Sequence, residues 1–371
     1  FDDELFIESF GLLDEKGINQ QEINVHLNDE FPTFFSSQSP GVFSFDVFSC
    51  SFYLVSRYEE YLPFVKDFHQ RFQAKNSLAY KNNFLKKPVI NIWVKKLVVE
   101  IKNRFPNLPI KEPEYQYIST IDIDNAFYFQ EKGFVRTVAG FLGSLINFDS
   151  KDVKQRFTVL FGNEKDPYDT YQIQLQIQKK YNLEVIYFIL LADYGLNDKN
   201  ISFTNRRFQL LIKRLADFAK IGIHPSYGSN SNYNKLPKEI KRLEGITKKE
   251  VTKSRQHFLK LTLPETYNHL SDLGITDDYT MGYASAVGFR ASICTPFTFY
   301  NLDLESALPL KVHPFAVMDA TLLYYLKLNT KEAMKEISDL IEEVKKVDGT
   351  FISLWHNDTF SDYKQWLGWK D

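Results

Sequence analysis

The strongest constraint on the fold is an alternation of strand-like and helix-like segments after residue 115. Short runs rich in β-branched and aromatic residues predict strands, and the longer runs between them carry apolar residues at helical spacing. Strands separated by helices are typical of a parallel α/β sheet or barrel. The predicted strands are YISTID, VIYFILLA, IGIHPSY, SRQHFL and TFISLWH, and the predicted helices include TYQIQLQIQKKYN and RRFQLLIKRLADFAK.

The amino-terminal part of the chain has a different pattern. FDVFSCSFYLVSRYEEYLPF predicts a buried helix that ends near Pro63, and VINIWVKKLVVEIKNRF predicts an amphipathic helix closed by Pro106. We interpret SRYEEY within the first helix as a helix surface with Glu–Arg pairing. Because the Pro-punctuated stretch NLPIKEPEY follows, we predict a mainly helical domain of unknown role over 1–112 and an α/β domain over 113–371.

Composition excludes some classes of function. The 371 residues are 44% hydrophobic with a net charge of -2, and no basic tract alternates with aromatic residues, so nucleic-acid binding is not expected. Cys50 and Cys294 lie far apart in apolar surroundings, which predicts buried free thiols. No apolar run approaches the ~20 residues of a membrane span, and no signal-like region opens the chain. We therefore expect a cytoplasmic protein, with a removed leader before Phe1 as the alternative and the oligomeric state undetermined.

Residues typical of catalytic sites follow the predicted strands. Asp122 and Asp124 occupy alternate positions in YISTIDID, so both carboxylates face the same side of an extended chain. Two like charges held so close are costly unless a cation, a proton or water separates them, although a turn or helix cap would also explain them. In parallel α/β folds, the chemistry gathers at the carboxyl ends of strands. Further candidates in the predicted strands or at their ends are His224, Arg255, His257 and His356.

Together, these histidines and the acid pair predict a metal-dependent hydrolase. Imidazole and carboxylate are the ligand set of zinc and similar divalent ions, and a catalytic site keeps one position open for water. A second carboxylate can accept the proton of that water, and a histidine on the opposite side can protonate the leaving group. A single histidine after an apolar run is more often a hydrogen-bonded core residue, so the prediction depends on the whole set.

The order of the candidates resembles the polysaccharide deacetylase family, also called the NodB homology family, over about residues 115 to 371. TIDID is similar to the Asp-x-Asp variant of the family's first motif, YFILLA to its second strand and LWHN to its Leu-x-His motif. The resemblance implies a distorted (β/α) barrel that removes N-acetyl or O-acetyl groups from carbohydrates with a divalent metal, for which zinc is the expected ion. It also implies that Asp122 is the catalytic base, Asp124 and His224 are metal ligands and His356 is the acid.

The chain departs from the family at the second and third motifs. The family pattern His-Ser/Thr-x-x-His corresponds to HPSYG, which has Gly228 where the second histidine stands. The third motif, Arg-x-Pro, is similar to SRQHFL, where Arg255 would orient the base and His257 stands at the Pro position. We predict that His257 is the third metal ligand, with Ser226 and water completing a weak site as the alternative. A rival for the motif's arginine is Arg290 in GFRAS.

Further candidates for substrate binding follow along the chain. Asp278 and Tyr279 in GITDDYTMGY could line the acetyl pocket or form a turn that precedes a strand. Arg290 could clamp a substrate carboxylate or phosphate, or pair with Asp277 or Asp278. Trp355 could be a wall of the acyl pocket or pack in the core.

Further segments resemble a Bacteroidetes-type group of this family with an amino-terminal extra domain. These segments are HPSY, SRQHFL, DYTMGY and GFRA, together with SRYEEY, HQRF and SLAYKNNFLKKP. The resemblance implies a carbohydrate deacetylase, a hydrolase of carbon–nitrogen bonds other than peptide bonds, that acts on an N-acetyl or O-acetyl group of a bacterial glycan or its precursor. The alternatives are a carbohydrate-binding relative that lost its metal and an unrelated amidohydrolase. The sugar itself is not indicated.

Overall fold

Helices and strands alternate along most of the chain. The computed structural model describes residues 4–27, 31–38 and 41–370. In chain order, the α-helices are α1 (Val47–Val55), α2 (Leu78–Lys81), α3 (Val89–Arg104), α4 (Phe134–Ile146), α5 (Ser150–Phe161), α6 (Tyr171–Tyr181), α7 (Arg206–Ala216), α8 (Leu236–Thr247), α9 (Glu265–Asp272) and α10 (Thr330–Lys345). The strands are β1 (His26–Leu27), β2 (Pro32–Thr33), β3 (Gln116–Ile123), β4 (Glu184–Ile189), β5 (Lys220–Ile223), β6 (Lys253–Ser254), β7 (Asp277–Asp278), β8 (Phe297–Asn301), β9 (Ser306–Val312), β10 (Val317–Met318) and β11 (Thr350–His356).

Most of the elements predicted from periodicity are confirmed. Helices α3, α6 and α7 and strands β3, β4, β5 and β11 lie in the segments predicted for them. In α7, the apolar residues Phe208, Ile212 and Leu215 are buried at the spacing of one helix face, and the Asn205 side chain caps the helix by accepting from the Phe208 N–H. The local pattern was sufficient here because one stripe of the helix faces the core.

The chain divides into two compact units, and each contains part of the α/β structure. The first unit comprises residues up to 118 together with Thr252–Ser353. Within it, the strand order is β6-β7-β9-β8, in which β6–β7 and β7–β9 are parallel and β8–β9 is antiparallel. The free thiols Cys50 and Cys294 are both buried in this unit, which confirms that prediction.

An aromatic cluster forms the core around α1 and α3 in the first unit. Trp93 of α3 lies 5.4 Å from Phe45 and 6.1 Å from Phe34 between ring centroids, and Phe34 lies 6.0 Å from Tyr53 of α1. All four rings are buried. Burial of large aromatic side chains supplies much of the hydrophobic stabilisation of such a core.

The first predicted helix is shorter than its sequence pattern indicates. Helix α1 ends at Val55, and Arg57 then takes a left-handed conformation with φ 56° before a 3₁₀ turn over Tyr58–Glu60. The predicted Glu–Arg pairing in SRYEEY is confirmed by a 2.8 Å ion pair between Arg57 and Glu60, but the predicted helix surface is wrong, because both side chains are buried. Buried charges of this kind require partners, and Glu60 has a second partner in Arg290 at 2.5 Å.

The second unit comprises Ser119–Val251 and Leu354–Asp371 and contains four of the predicted catalytic residues, Asp122, Asp124, His224 and His356. Its strand neighbours are β11-β3-β4-β5. Strands β4 and β5 are parallel, with Ile189 opposite Ile223 at their carboxyl ends. All residues of β4 after Glu184 are buried, which is typical of a parallel strand covered on both faces.

The strand predicted over SRQHFL is only partly confirmed. Strand β6 contains only Lys253–Ser254, and a 3₁₀ turn follows over His257–Leu259, in which Phe258 has φ 60°. The argument that Arg255 and His257 face one side because they alternate on a strand is therefore wrong. A turn removes the period of two on which that argument depended.

The pairing of the described strands is predominantly parallel and helices lie between them, so the α/β class is confirmed. The closed barrel, the mainly helical amino-terminal domain and the domain boundary at residue 112 stay predictions. Among the described residues, none of the helices combines the length and apolarity needed to cross a bilayer.

Candidate active site

Strand β3 brings the two predicted carboxylates to its carboxyl end. Asp122 lies inside the strand and is 2% exposed, whereas Asp124 is the first residue beyond Ile123 and its side chain is 33% exposed. The Leu190 N–H donates to the Ile123 carbonyl at 3.3 Å, so the strand is still paired where it ends. The acid pair therefore spans the transition from buried strand to open loop.

His224 lies between these two carboxylates. It follows the last residue of β5, and its backbone N–H donates to the Ile189 carbonyl at 2.9 Å. Its Nε2 lies 3.2 Å from Asp124 Oδ1 and 3.7 Å from Asp122 Oδ2, and the imidazole is buried. One ring nitrogen is thus close enough to interact with both acids.

His356 is the last residue of β11 and approaches Asp124 from another strand. Its Nε2 lies 3.8 Å from Asp124 Oδ2, and its side chain is 20% exposed. The next residue, Asn357, is buried and donates its amide to the carbonyls of Asn125 and Tyr168 at 3.2 and 3.3 Å. These bonds hold the segment after β11 beside the loop after β3, so four candidates meet at the carboxyl ends of β3, β5 and β11.

The donor atoms of this group fit a divalent metal. Asp124 and His224 offer one carboxylate oxygen and one imidazole nitrogen 3.2 Å apart. Two ligands of a tetrahedral zinc ion, with bonds of about 2.0 to 2.2 Å, lie roughly 3.3 to 3.5 Å from each other, so the separation is close to that expected for zinc ligands. It also suits a hydrogen bond when Nε2 carries the proton.

A side chain at position 228, in the loop after β5, would require the flexible end of Lys235 to shift. The Gly228 N–H donates to Asp198 Oδ2 at 3.2 Å, and a Cβ added at this position would lie 2.9 Å from Lys235 Nζ. A side chain there would therefore meet Lys235. The family's second histidine has no counterpart at this position.

Ser226, the alternative donor in the same loop, is committed to another residue. Its hydroxyl donates to Glu239 Oε1 at 2.6 Å, and its backbone N–H donates to Oε2 at 2.9 Å. Burial raises the pKa of Glu239, and these two bonds from Ser226 partly oppose that rise. The Ser226 oxygen also accepts from the Ser229 N–H at 3.0 Å, so these bonds shape the loop, and metal binding by Ser226 with water stays the alternative.

Arg255 and His257 belong to the first unit. The Arg255 guanidinium is buried, donates from Nε to the Tyr279 carbonyl at 3.1 Å and lies 5.3 Å above the Phe315 ring. His257 is buried with its ring 4.6 Å from that of Phe258. Orientation of the base by Arg255 and metal binding by His257 stay predictions.

The candidates for substrate binding in the first unit have structural partners. Asp278 accepts from Ser254 Oγ at 2.6 Å and from the Thr280 N–H at 2.8 Å, and burial raises its pKa. Tyr279 stacks on His313 with ring centroids 4.3 Å apart. The substrate-binding roles of Asp278 and Tyr279 stay predictions.

The partner of Arg290 is Glu60, in place of the predicted Asp277 or Asp278. The Arg290 guanidinium is 1% exposed and forms two hydrogen bonds with the Glu60 carboxylate. Its substrate-binding role and that of Trp355, which is half-buried in β11 of the second unit, also stay predictions.

Two aspartates that hold the loops of the second unit were missed in the sequence. The Asp166 carboxylate accepts from the backbone N–H groups of Tyr128, Phe129 and Gln130 at 2.7 to 3.0 Å. The Asp198 carboxylate accepts from the N–H groups of Tyr227 and Gly228. Each partner lies about thirty or more positions away in the chain, so no local pattern could have indicated these roles.

Comparisons with known proteins leave the family of the whole chain open. Residues 1–106 match a family of unknown function, DUF7033, and no curated protein matches. Among solved structures, the chain is similar to a Mycobacterium smegmatis protein provisionally named a polysaccharide deacetylase, with 11% identity, a TM-score of 0.44 and coverage of 70% of this chain and 82% of that one. It is similar to PuuE allantoinase with 11% identity, a TM-score of 0.41 and coverage of 71% and 84%. It is also similar to the Bacillus cereus polysaccharide deacetylase Bc1974, with 13% identity, a TM-score of 0.31 and coverage of 66% and 79%.

Proposed function

We propose that this protein hydrolyses an acetyl amide or ester on a bacterial glycan or glycan precursor with the help of a divalent metal. The observation that carries the proposal is the position of His224 Nε2, 3.2 Å from Asp124 and 3.7 Å from Asp122 at the ends of two parallel strands. The acid pair, the buried imidazole and the second histidine supply the metal ligands, the base and the acid that such a hydrolysis needs.

Asp124 and His224 would hold the metal, and His257 is proposed as the third protein ligand. A bound divalent ion, with zinc the expected one, would supply a more acidic water molecule and polarise the acyl oxygen. The proposal for His257 rests on the resemblance of SRQHFL to the third motif, in which this histidine stands at the Pro position and offers an imidazole nitrogen. The fit of Asp124 and His224 rests on their separation.

The remaining residues of the site move protons. Asp122 would accept the proton of the attacking water, since it is the carboxylate farther from His224 and is almost completely buried. His356 would donate a proton to the departing amine or alkoxide, and its partly exposed ring lies at the edge of the group. Arg255 is proposed to orient Asp122, and Trp355 to line the acyl pocket.

The direct test is acetate release from acetylated sugars. Bacterial peptidoglycan fragments supply the N-acetyl amide beside an acidic sugar and their O-acetylated forms supply the ester, and each is assayed with metal-stripped protein and with protein reloaded with zinc. We expect acetate from at least one substrate only after reloading. Failure of the reloaded wild-type protein to release acetate from either substrate would refute the proposal.

We expect His356→Ala to lower turnover by about 10²- to 10⁴-fold, the usual loss when a general acid is removed. Metal content and melting temperature should stay at their wild-type values, because the ring is partly exposed and lies 3.8 Å from Asp124. Steady-state acetate release and elemental analysis check these expectations. Unchanged turnover would show that another group protonates the leaving group.

We expect His257→Ala to weaken zinc binding by more than the ~10- to 100-fold typical of residues that only support a ligand. Competition with a fluorescent chelator measures the affinity of the variant and the wild type. His26→Ala, which removes an exposed histidine of β1, is the matched control and should bind zinc like the wild type. Equal affinity in the His257 and His26 variants would mean that His257 is not a ligand.

The second candidate function is a carbohydrate-binding protein without a metal. The observation that favours it is Gly228, which offers no side-chain atom that could bind a metal. A side chain at this position would meet Lys235. Elemental analysis of purified protein separates the two functions. About one equivalent of metal supports the hydrolase, and none after reconstitution supports the binding protein.

A further inference from the structure

A cavity of about 580 Å³ lies in the second unit, between the start of α4 and the segment that follows β4. Its walls come from the start of α4 and from the segment that connects β4 to α7, including Lys132, Arg136, Tyr194 and Asn205. Cavities of roughly 300 to 1,000 Å³ with a few convergent polar groups are typical of small-molecule sites. None of the roles described above uses this cavity.

The acidic groups of the cavity are already balanced. Glu131 accepts from the Asn205 amide at 2.6 Å and lies 3.6 Å from Arg207. Asp193 accepts from Arg242 at 2.6 Å. These carboxylates have cationic partners, so no cationic ligand is needed to neutralise them.

Arg136 is also occupied. Its two terminal nitrogens donate to the carbonyls of Lys199 and Asn200 at 3.0 and 3.1 Å, and its guanidinium lies 4.2 Å above the Tyr194 ring. The arginine therefore contributes positive charge to the cavity while its hydrogen bonds hold the wall together. The Tyr194 ring is 61% exposed, so part of it remains accessible to a ligand.

Lys132 is the lining group whose charge is not balanced. Its half-buried ammonium donates to the neutral Asn125 Oδ1, and within the part of the chain that the structure describes no carboxylate lies at ion-pair distance from it. Burial lowers the pKa of Lys132 to about 7, with repulsion from Arg136 and Arg156 opposed by attraction to Asp166. The amine is therefore only partly protonated at neutral pH, and a bound anion would favour its ammonium form. An ammonium has three N–H donors and favours an anionic acceptor.

The cavity is connected to the proposed catalytic group through Asn125. This residue follows Asp124 directly, and its side chain is the acceptor for Lys132. A ligand group held by Lys132 would thus lie beside the side chain of the residue that follows a proposed metal ligand in the chain. Nearby, the hydroxyls of Ser202 and Thr204 pair with each other at 2.8 Å and retain capacity for a further hydrogen bond to a sugar.

We infer that this cavity is a subsite for an anionic sugar, with Lys132 as the counter-ion of its carboxylate or phosphate. The inference rests on the proposed function only in taking the ligand to be part of a glycan. The inferred subsite narrows the proposed substrate class to glycans that carry an acidic sugar beside the acetylated one. Loss of the cation should cost about 10- to 100-fold in affinity, since hydrogen bonds to charged groups contribute about 1.5 to 3 kcal/mol.

The test is a binding measurement that does not require turnover. Glucose, glucuronic acid, glucose 6-phosphate and inorganic phosphate are titrated into the wild type, Lys132→Met, Lys132→Arg and Lys154→Met by calorimetry. Lys154 is an exposed lysine of α5, so its variant removes the same charge without touching the cavity. We expect an acidic sugar to bind at least about tenfold more tightly than glucose, and the preference to be lost only in Lys132→Met.

Each arm of the titration has a defined meaning. Tighter binding of glucuronic acid than of glucose 6-phosphate identifies a carboxylate ligand, and the reverse order identifies a phosphate ligand; both support the inference. Three results would overturn it. The first is equal binding of glucose and both acidic sugars, and the second is an affinity of Lys132→Met for the acidic sugar equal to that of the wild type. The third is binding of inorganic phosphate as tight as that of the sugar phosphate. Thermal melting verifies folding, and Lys132→Gln replaces the Met variant if that variant unfolds. A protein that binds the acidic sugar but releases no acetate would retain this inference while the proposed function fails.

Discussion

Asp122→Asn should lower the rate of acetate release by about 10²- to 10⁴-fold while leaving the fold and the metal content unchanged. The amide has nearly the same shape as the carboxylate but cannot accept a proton from water. Asp122 is 2% exposed inside β3, so a substitution of equal size should fit the strand without a cavity. Asp124 and His224 remain in place to hold the metal.

The control for this variant is Asp217→Asn, which removes the same charge from an exposed position at the end of α7. Acetate release is measured for both variants and the wild type with matched zinc content. The Asp217 variant should behave as the wild type does. If the Asp122 variant also keeps its activity within about twofold, the proton acceptor is a different group and the assignment of Asp122 as base fails.

Glu60→Gln should destabilise the first unit by about 3 to 5 kcal/mol, because it leaves buried guanidinium groups without their carboxylate. Glu60 accepts from Arg57 Nε at 2.8 Å and from Arg290 Nε and Nη2 at 2.9 and 2.5 Å, and all three side chains are buried. Arg57 keeps a second partner in Glu59 at 2.7 Å. Among the described residues, Arg290 would keep the Gly282 carbonyl at 3.1 Å and the Tyr283 ring at 5.2 Å, but no carboxylate, so the largest loss of stability is expected at Arg290.

The stability difference should depend on pH in a defined direction. Burial alone would raise the pKa of Glu60, but Arg290 and Arg57 hold it below its ordinary value of 4.5. A lowered folded-state pKa contributes stability that is present above the unfolded pKa and is lost as the pH falls through the folded one. The gap between wild type and Glu60→Gln should therefore be full at neutral pH and narrow below about pH 4.5.

Chemical denaturation at pH 7 and at pH 4 measures this gap, and Glu336→Gln is the control. Glu336 pairs with the exposed Lys86 at 2.6 Å, so its loss should cost less than about 1 kcal/mol. A Glu60 variant that is no less stable than the Glu336 variant would show that the buried cluster is not a significant source of stability. A gap that widens at low pH would contradict the assigned pKa direction.

Short sequence patterns predicted those parts of the candidate site whose positions depend only on where a strand ends. The period of two in YISTIDID indicated β3, and the positions of Asp122 and Asp124 followed from where that strand ends. The short apolar runs before His224 and His356 indicated β5 and β11 in the same way. In parallel α/β folds such ends meet at one edge, so grouping these residues required no knowledge of their contacts.

Patterns failed where a residue's role depends on distant partners or on a backbone turn. SRQHFL has the composition of a strand, but only Lys253–Ser254 is strand, and His257 begins a 3₁₀ turn. SRYEEY has the charge pattern of a helix surface, yet Glu60 is buried because Arg290, 230 positions away, neutralises it. Helix and strand propensities describe which backbone conformations a segment adopts readily, whereas the burial of a side chain depends on the residues that pack against it.

The sequence by itself therefore determined the α/β class and the candidates Asp122, Asp124, His224 and His356, because hydrophobic period and strand ends are local properties. Only the tertiary structure decided that Arg290 pairs with Glu60, that a side chain at position 228 would meet Lys235, and that Lys132 faces a cavity with a neutral partner. Those facts depend on distances between residues far apart in the chain, and the free energy of burying a charge is set by those distances rather than by neighbours in sequence.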